Sequence, residues 1–295
     1  MKFGVVLPSY GAKASRLEIL DTALLTESLG YESLWATDHL ALPEADSERF
    51  GTIFEALTLL AYLAASVPRV KLGISALVLP QRNPVEVGKQ LASLDVLSGG
   101  RVIVAAGIGW SRGEYANLGH SFENRARRMD EALKVLRTLW RGQRVVSFSG
   151  KYYSFENMVI DPRPLQPGGP PLWAAGDSPA ALKRGLLLAD GWHPNAMLPE
   201  ALAGLLAPHQ AALRLRAFAI AMRQRLEWGA PYDPQSAYLT GSPEEMIRRL
   251  RALEGLGVGQ VLLAPQPGSQ RERETALKRF AAEVMPALAG GGGRL

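Results

Sequence analysis

An adjacent aspartate and histidine form the first group in the sequence that could do chemistry. Asp38 and His39 follow a short apolar run at residues 33–36, which predicts a strand. An imidazole titrates near neutral pH, so it can move a proton or stabilise a developing charge under physiological conditions. An Asp-His pair can equally cap or brace a loop, and the residue types alone leave both functions open.

Small residues mark two further candidate sites. Gly73, Ser75 and Ala76 lie inside the apolar run 70–79, where glycine indicates either a bulge close to a ligand or tight packing. The Gly-Ile-Gly sequence at 107–109 follows the next predicted strand and leaves backbone N–H groups open to a ligand. It is not a dinucleotide-binding fingerprint, because the third glycine and the acidic residue about 20 positions later are missing.

A helix start forms the last candidate site. Ser178 suits the N-cap and Pro179 the first helical position, directly after Gly176 and Asp177. The free N–H groups of such a start can bind a phosphate. Ordinary capping explains the same residues, and the Asp177 carboxylate would repel a phosphate unless it points away.

The elements that must position these residues alternate along the chain. Apolar runs predict eight strands, at 3–7, 33–36, 70–79, 101–106, 172–175, 191–193, 217–222 and 260–264. Segments with helical periodicity separate them, among them 52–66, 84–97, 123–140 and 178–189. The run at 217–222 also fits one long helix, and the count reaches eight only if it is a strand.

Eight alternations predict an α/β fold, a parallel (β/α)8 TIM barrel formed by residues 1–289 as a single domain, with a doubly wound open sheet as the alternative. Alternating polarity at 145–160 predicts a hairpin, inserted at about 141–171 after the fourth helix. The glycine run near the C-terminus predicts a flexible tail at 290–295. Because TIM-barrel active sites lie at the carboxyl ends of strands, Asp38 and His39 fall where catalytic groups are expected.

Composition excludes several classes of protein. The chain has no cysteine, which rules out disulfides, thiolate zinc sites and cysteine nucleophiles. No stretch approaches the roughly 20 apolar residues of a membrane span, and the start lacks the layout of a signal peptide, so we expect a cytoplasmic protein without a membrane partner. The four histidines show no metal-ligand spacing, which predicts no metal site.

The net charge of +5 is dispersed along the chain. Only Arg125, Arg127 and Arg128 form a tight cluster, and they fall on an amphipathic helix pattern that is typical of a solvated face. We therefore expect no nucleic-acid partner. The surplus of positive charge suits a small anionic ligand.

Six ordered segments resemble the luciferase-like monooxygenase superfamily, in particular its coenzyme F420-dependent oxidoreductase branch. The resemblance covers nearly the whole chain. It rests on Ala36-Thr37-Asp38-His39, residues 72–80 with Arg82-Asn83-Pro84, residues 94–101 (LDVLSGGR), Gly107-Ile108-Gly109-Trp110 with Glu114, Pro162-Arg163-Pro164-Leu165-Gln166, and Asp190-Gly191-Trp192.

The resemblance implies a cofactor whose tricyclic ring lies near the third strand, where family members carry a bulge with a non-proline cis peptide bond, here Ser75-Ala76. Asp177 departs from the family pattern, since many relatives have glycine there, and the phosphate contact is in doubt at this position. The implied cofactor-binding residues are Asp38, His39, Ser75, Ala76, Gly107, Ile108, Gly109, Trp110, Ala175, Gly176, Asp177 and Ser178.

The resemblance leads to the hypothesis of an F420-dependent oxidoreductase that transfers a hydride between deazaflavin and a small organic substrate, with His39 and Asp38 as catalytic residues. An FMN-dependent monooxygenase that uses reduced flavin and oxygen, often with a separate reductase partner, is the alternative. A protein that binds flavin or deazaflavin without turnover represents a different class, and a metal-dependent hydrolase lacks its ligand histidines. Relatives are often dimers, so we expect a homodimer.

Overall fold

Eight parallel strands close into a barrel. The computed structural model describes residues 1–12, 14–215, 217–266 and 268–289. The strands in these ranges are β1 (Lys2–Val6), β2 (Tyr10–Gly11), β3 (Ser33–Ala36), β4 (Thr52–Ile53), β5 (Lys71–Val78), β6 (Val102–Gly107), β7 (Val145–Ser149), β8 (Ser154–Val159), β9 (Leu172–Ala175), β10 (Gly191–His193), β11 (Ala219–Leu226) and β12 (Gln260–Pro265). Around the barrel the order is β1, β3, β5, β6, β9, β10, β11 and β12, and β12 pairs with β1.

Helices separate the barrel strands. They are α1 (Arg16–Ser28), α2 (Glu44–Phe50), α3 (Ala56–Ala64), α4 (Pro84–Leu97), α5 (Arg112–Asn117), α6 (Arg125–Arg141), α7 (Pro179–Leu188), α8 (Pro199–Leu206), α9 (Gln210–Arg214), α10 (Pro243–Gly255), α11 (Gln270–Glu283) and α12 (Met285–Leu288). Polar N-caps whose side chains accept a backbone N–H begin many of them: Ser15, Glu55, Asn83, Ser111, Ser178, Ser242 and Ser269.

The (β/α)8 TIM barrel predicted from the alternation is confirmed. The ambiguous run at 217–222 is a strand, since β11 pairs in parallel with β12 from Ala221 to Leu226. The inserted hairpin is also present as the antiparallel pair β7 and β8, which follows α6. The predicted tail at 290–295 lies outside the described residues.

The predicted helix over 52–66 is wrong at its start. Thr52–Ile53 forms β4, which pairs with β2, and α3 begins at Ala56 because Glu55 caps it through the N–H of Thr58. The short helices α2 and α5 were not predicted, since six or seven residues carry too little periodicity to be recognised. In the described part of the chain, none of the helices combines the length and apolarity needed to cross a lipid bilayer.

Aromatic rings fill the interior of the barrel. Trp35 on β3 and Trp173 on β9 stack with their centroids 5.4 Å apart, and the ring of His193 on β10 lies 6.0 Å from Trp35. Trp35 passes so close to β5 that a Cβ on Gly73 would lie 2.2 Å from its ring. Packing thus accounts for the glycine at 73.

Arg101 ties the ends of two helices to the start of two strands. Its guanidinium donates to the carbonyls of Ala64, Val67 and Val70 at 2.6–2.8 Å, and its Nε donates to Ser98 at 2.5 Å. The last carbonyls of a helix have no intrahelical partner, and a cation near them is favourable. The arginine of the LDVLSGGR segment is therefore a structural residue that fixes α3 and α4 against β5 and β6.

We predict that Arg101→Ala lowers the free energy of unfolding by about 2–4 kcal/mol, because four carbonyls lose a charged donor in a partly buried setting. Denaturant unfolding measures the change. Arg144→Ala is the matched control: Arg144 is 79% exposed and lies 3.8 Å from Asp161, so its loss should change stability by less than about 1 kcal/mol. Equal effects of the two substitutions would contradict the structural assignment.

Candidate active site

A cleft of about 940 Å³ opens at the carboxyl ends of the barrel strands. Ten of the twelve predicted site residues line it: Asp38, His39, Ser75, Ala76, Gly107, Ile108, Gly109, Trp110, Ala175 and Gly176. Asp177 and Ser178 are not among its lining residues, and both are exposed at the start of α7. Barrel closure therefore gathers segments that are far apart in sequence at one end of the molecule.

Three small residues from neighbouring strands form a flat patch on one side of the cleft. Ala76 is the extra residue of a bulge in β5, since Ser75 pairs with Ala105 while Leu77 pairs with Ala106, and the Ser75-Ala76 peptide bond is cis. A Cβ added to Gly107 would lie 3.4 Å from the Cβ of Ala76 and 3.7 Å from that of Ala175. We call Ala76, Gly107 and Ala175 the small-residue shelf.

His39 is oriented by a buried carboxylate. Its Nδ1 lies 2.9 Å from Oε2 of Glu114, whose Oε1 accepts the backbone N–H of Leu40 at 2.6 Å. Burial alone would raise the pKa of Glu114, but hydrogen bonds from His39, from the Leu40 N–H and from Gln81 outweigh it and lower this pKa to about 2. Glu114 is thus ionised near neutral pH and can only accept.

This contact fixes the tautomer of His39. Because the carboxylate of Glu114 accepts, Nδ1 of His39 carries the hydrogen. Nε2 has no hydrogen-bond partner among the described residues, and His39 lines the cleft. The histidine is therefore arranged to exchange a proton through Nε2.

Asp38 is held through both carboxylate oxygens. Oδ2 accepts the N–H of Val78 at 2.9 Å, and Oδ1 accepts from Arg82 at 2.6 Å. Arg82 also donates to Glu55 at 2.9 Å. Burial raises the pKa of Asp38, and the Arg82 guanidinium opposes that rise. With these contacts Asp38 fixes the loop after β3 to the end of β5. For Asp38, this geometry favours bracing of the loop over a direct chemical role.

A second histidine lines the cleft, and sequence reasoning gave it no function. Nδ1 of His193 donates to the carbonyl of Ala221 at 2.5 Å, and Nε2 accepts from the Ser75 hydroxyl at 2.8 Å. Burial lowers the pKa of His193 to about 4 despite the hydrogen bond to Ala221, so the ring is neutral near pH 7. Its position at the end of a barrel strand was the signal that could have identified it.

Aromatic side chains form a second wall of the cleft. The ring of Phe50 lies 5.7 Å from that of Tyr10, 4.7 Å from that of His39 and 6.0 Å from that of Trp110. Trp110 is 51% exposed although it packs against these rings. We call Tyr10, Phe50 and Trp110 the aromatic wall, an apolar surface beside His39.

Arginines lie on the side of the cleft that faces the shelf. In the ring of eight strands β11 is four positions from β5, so Arg223 and Arg225 of β11 face the bulge of β5 across the mouth. Nη1 of Arg223 donates to the Ser75 carbonyl at 3.0 Å, which joins the two sides. Arg273 also lines the cleft and pairs with Glu18.

A buried hydroxyl completes the lining, and a carboxylate just outside the lining is bound by Asn195. Oγ1 of Thr37 is buried, lines the cleft and has no hydrogen-bond partner among the described residues. Buried polar atoms in native proteins nearly always have a partner, so a ligand or water group is expected there. Asp177 accepts from the N–H and the side-chain amide of Asn195 at 2.7 and 3.0 Å.

The family follows from a sequence comparison. The model of the luciferase-like monooxygenase family matches residues 1–223, more than half of the chain. The chain belongs to this family.

Relatives of this luciferase-like protein carry different assignments. An uncharacterised protein of Mycobacterium tuberculosis is 30% identical over 254 residues, 82% of each chain. An F420-dependent glucose-6-phosphate dehydrogenase of Kineococcus radiotolerans is 34% identical over 179 residues, 59% of this chain and 51% of the relative. An FMNH2-dependent dimethylsulfone monooxygenase of Pseudomonas putida is 31% identical over 144 residues, 48% of this chain and 39% of the relative.

Solved structures agree with the luciferase-like fold. The monooxygenase RslO1 from Streptomyces bottropensis superposes with a TM-score of 0.85 over 98% of this chain and 100% of its own, at 20% identity. An F420-dependent secondary alcohol dehydrogenase has a TM-score of 0.81 over 97% and 98%, also at 20% identity. Family members with assigned activities are oxidoreductases or monooxygenases, which supports an enzymatic function.

Two site residues of this luciferase-like chain lie on helices that the sequence did not predict. α2 ends at Phe50 and α5 carries Glu114. Ser111 caps α5 by accepting the N–H of Glu114 at 3.1 Å, and its hydroxyl donates to Asp46 of α2 at 2.6 Å. The Ser-x-x-Glu spacing at 111–114 is a helix-start pattern and could have indicated α5.

We predict that Glu114→Gln loses stability in a pH-dependent way. The folded pKa of about 2 lies below the unfolded value of about 4.3, so the ionised carboxylate stabilises the fold above pH 5. That contribution, up to about 3 kcal/mol, is lost as the pH falls toward 2. The difference in unfolding free energy between wild type and variant should therefore shrink between pH 5 and pH 2 in denaturant titrations.

Glu123→Gln is the control for removing one negative charge, since Glu123 is 71% exposed in an ion pair with Arg112. It should change stability by less than about 1 kcal/mol. A wild-type advantage over Glu114→Gln that stays constant across this pH range would refute an ionised, hydrogen-bonded Glu114.

Proposed function

We propose that this protein is an F420-dependent oxidoreductase that transfers a hydride between deazaflavin and a small organic substrate. The observation that carries the proposal is the 34% identity to an F420-dependent dehydrogenase over 59% of this chain. The match to the FMNH2-dependent relative is shorter, at 48% of the chain. The comparison thus favours the deazaflavin over the flavin as cofactor.

The residues in the cleft fit a flat, polar cofactor. The small-residue shelf leaves a surface without side chains longer than a methyl group, and Oγ1 of Thr37 in the same cleft has no hydrogen-bond partner among the described residues. Ala76, Gly107 and Ala175 would hold the ring, and residues 107–110 would line it. A bound deazaflavin supplies two-electron hydride chemistry, while the protein supplies orientation and charge.

His39 is the group that we assign to proton transfer. Its Nδ1–H donates to ionised Glu114, which holds the ring in one orientation and one tautomer. Nε2 can then take a proton from a substrate hydroxyl as hydride leaves the neighbouring carbon, or return it in the reverse direction. Asp38 acts through its bonds to Val78 and Arg82, which position His39 without contact to the reacting atoms.

An FMN-dependent monooxygenase is the second candidate function. The 31% identity to the dimethylsulfone monooxygenase of Pseudomonas putida favours it. The same shelf would then hold the flavin ring, and a separate reductase would supply reduced FMN.

We predict that Gly107→Val weakens binding of the cofactor at least tenfold. The added Cβ fits between Ala76 and Ala175 at 3.4 and 3.7 Å, so the barrel tolerates it, but the Cγ methyls occupy the shelf. Parallel titrations with F420 and with FMN, followed by quenching of cofactor fluorescence, measure the affinities. Preference for F420 supports the first function, and preference for FMN supports the second.

Gly259→Val is the matched control. Gly259 directly precedes β12, and a Cβ there would meet no atom within 4 Å. Its affinity for the cofactor should equal that of the wild type within twofold. If Gly107→Val binds each cofactor with the same affinity as the wild type, the shelf is not the site of the ring.

We predict that His39→Ala lowers turnover by about 10²-fold or more while the dissociation constant of the cofactor changes less than threefold. Oxidation of a panel of primary and secondary alcohols with F420 as acceptor gives turnover, and fluorescence quenching gives affinity. His209→Ala removes a histidine that does not line the cleft and should leave both values unchanged. Wild-type turnover in His39→Ala would remove His39 from the mechanism.

A further inference from the structure

Two successive inward positions of β11 carry arginine. Side chains alternate along a strand, and Ala219 and Ala221 face the barrel interior. Arg223 and Arg225 therefore continue the inward face at the carboxyl end of the strand, and both line the cleft. Placing charge at the mouth of a barrel is costly unless it meets a counter-charge or a ligand.

Arg225 is positioned to receive a ligand. Its guanidinium carbon lies 5.0 Å from the centre of the Tyr238 ring, and its Nε lies 2.9 Å from Glu227. The side chain is 43% exposed, and neither Nη has a hydrogen-bond partner among the described residues. Such a guanidinium edge matches the paired oxygens of a carboxylate or phosphate.

Three arginines line this side of the cleft. Arg225 pairs with Glu227, and Arg273 pairs with Glu18. Arg223 donates to the Ser75 carbonyl and the Tyr10 hydroxyl at 3.0 and 3.3 Å. The two Nη groups of Arg225 therefore make an anion the ligand that this side favours.

We propose that Arg225, with Arg223 beside it, binds the anionic group of the substrate. The substrate class is then a small organic carboxylate or phosphate monoester whose apolar body lies against the aromatic wall. The inference rests on the proposed function, because the shelf across the mouth is assigned to the cofactor ring. The phosphate of that cofactor has another site available at the start of α7, where Ser178 caps the helix.

Calorimetric titration of the purified protein with benzoate, phenyl phosphate and benzyl alcohol tests the proposal. The wild type should bind at least one of the two anions tenfold or more tightly than the neutral alcohol. Arg225→Gln should weaken binding of that anion at least tenfold and leave benzyl alcohol unchanged, and Arg225→Lys should recover part of the affinity. Arg248→Gln, which removes an exposed charge on α10, should behave as wild type.

Two results would overturn the proposal. One is a wild type that binds neither anion better than benzyl alcohol. The other is an Arg225→Gln variant that loses affinity for F420 or FMN but keeps that for the anion, since Arg225 would then hold the cofactor. Failure of the proposed function looks different: a wild type that binds neither F420 nor FMN refutes the cofactor, while anion binding that depends on Arg225 still stands.

Discussion

The stack of Trp35, Trp173 and His193 inside the barrel is the packing constraint on which the site depends. It fills the interior, and the cleft opens at the carboxyl ends of the strands. It also requires glycine at 73, because any Cβ there would overlap Trp35. The last ring of the stack, His193, reaches the cleft and holds the Ser75 hydroxyl. Core packing is thus continuous with the β5 bulge, which contributes Ala76 to the small-residue shelf.

The two histidines that line the cleft have different hydrogen-bond partners. His39 donates from Nδ1 to the ionised carboxylate of Glu114, and its Nε2 has no hydrogen-bond partner among the described residues. His193 contacts a carbonyl and a hydroxyl in a dry setting, so it stays neutral and acts as a fixed hydrogen-bonding group. The same residue type is therefore left with a ring nitrogen that has no protein partner in one place and is bound through both ring nitrogens in the other.

Much of this arrangement could be predicted from the sequence, and the remainder depends on closure of the barrel. Strand alternation predicted the fold, and strand-end positions pointed to His39 and Gly107, whereas Ala175 was implied by the family resemblance. Glu114 was part of a matching segment but was not assigned to the site, because it acts on His39 from 75 residues away, through a helix of six residues. Not every matching segment belongs to the site, since Arg101 of LDVLSGGR caps helices and Asp95 accepts the backbone and side-chain N–H groups of Gln166.

The distribution of charge in the cleft limits how a cofactor and a substrate can lie in it together. The shelf on β5, β6 and β9 carries no charge, and Arg223 and Arg225 of β11 lie across the mouth from the β5 bulge. His39 follows β3, the neighbour of β5 in the barrel. If Arg225 binds the anionic end of the substrate and His39 transfers the proton, as we propose, the separation of these two residues would select substrates by length as well as by charge.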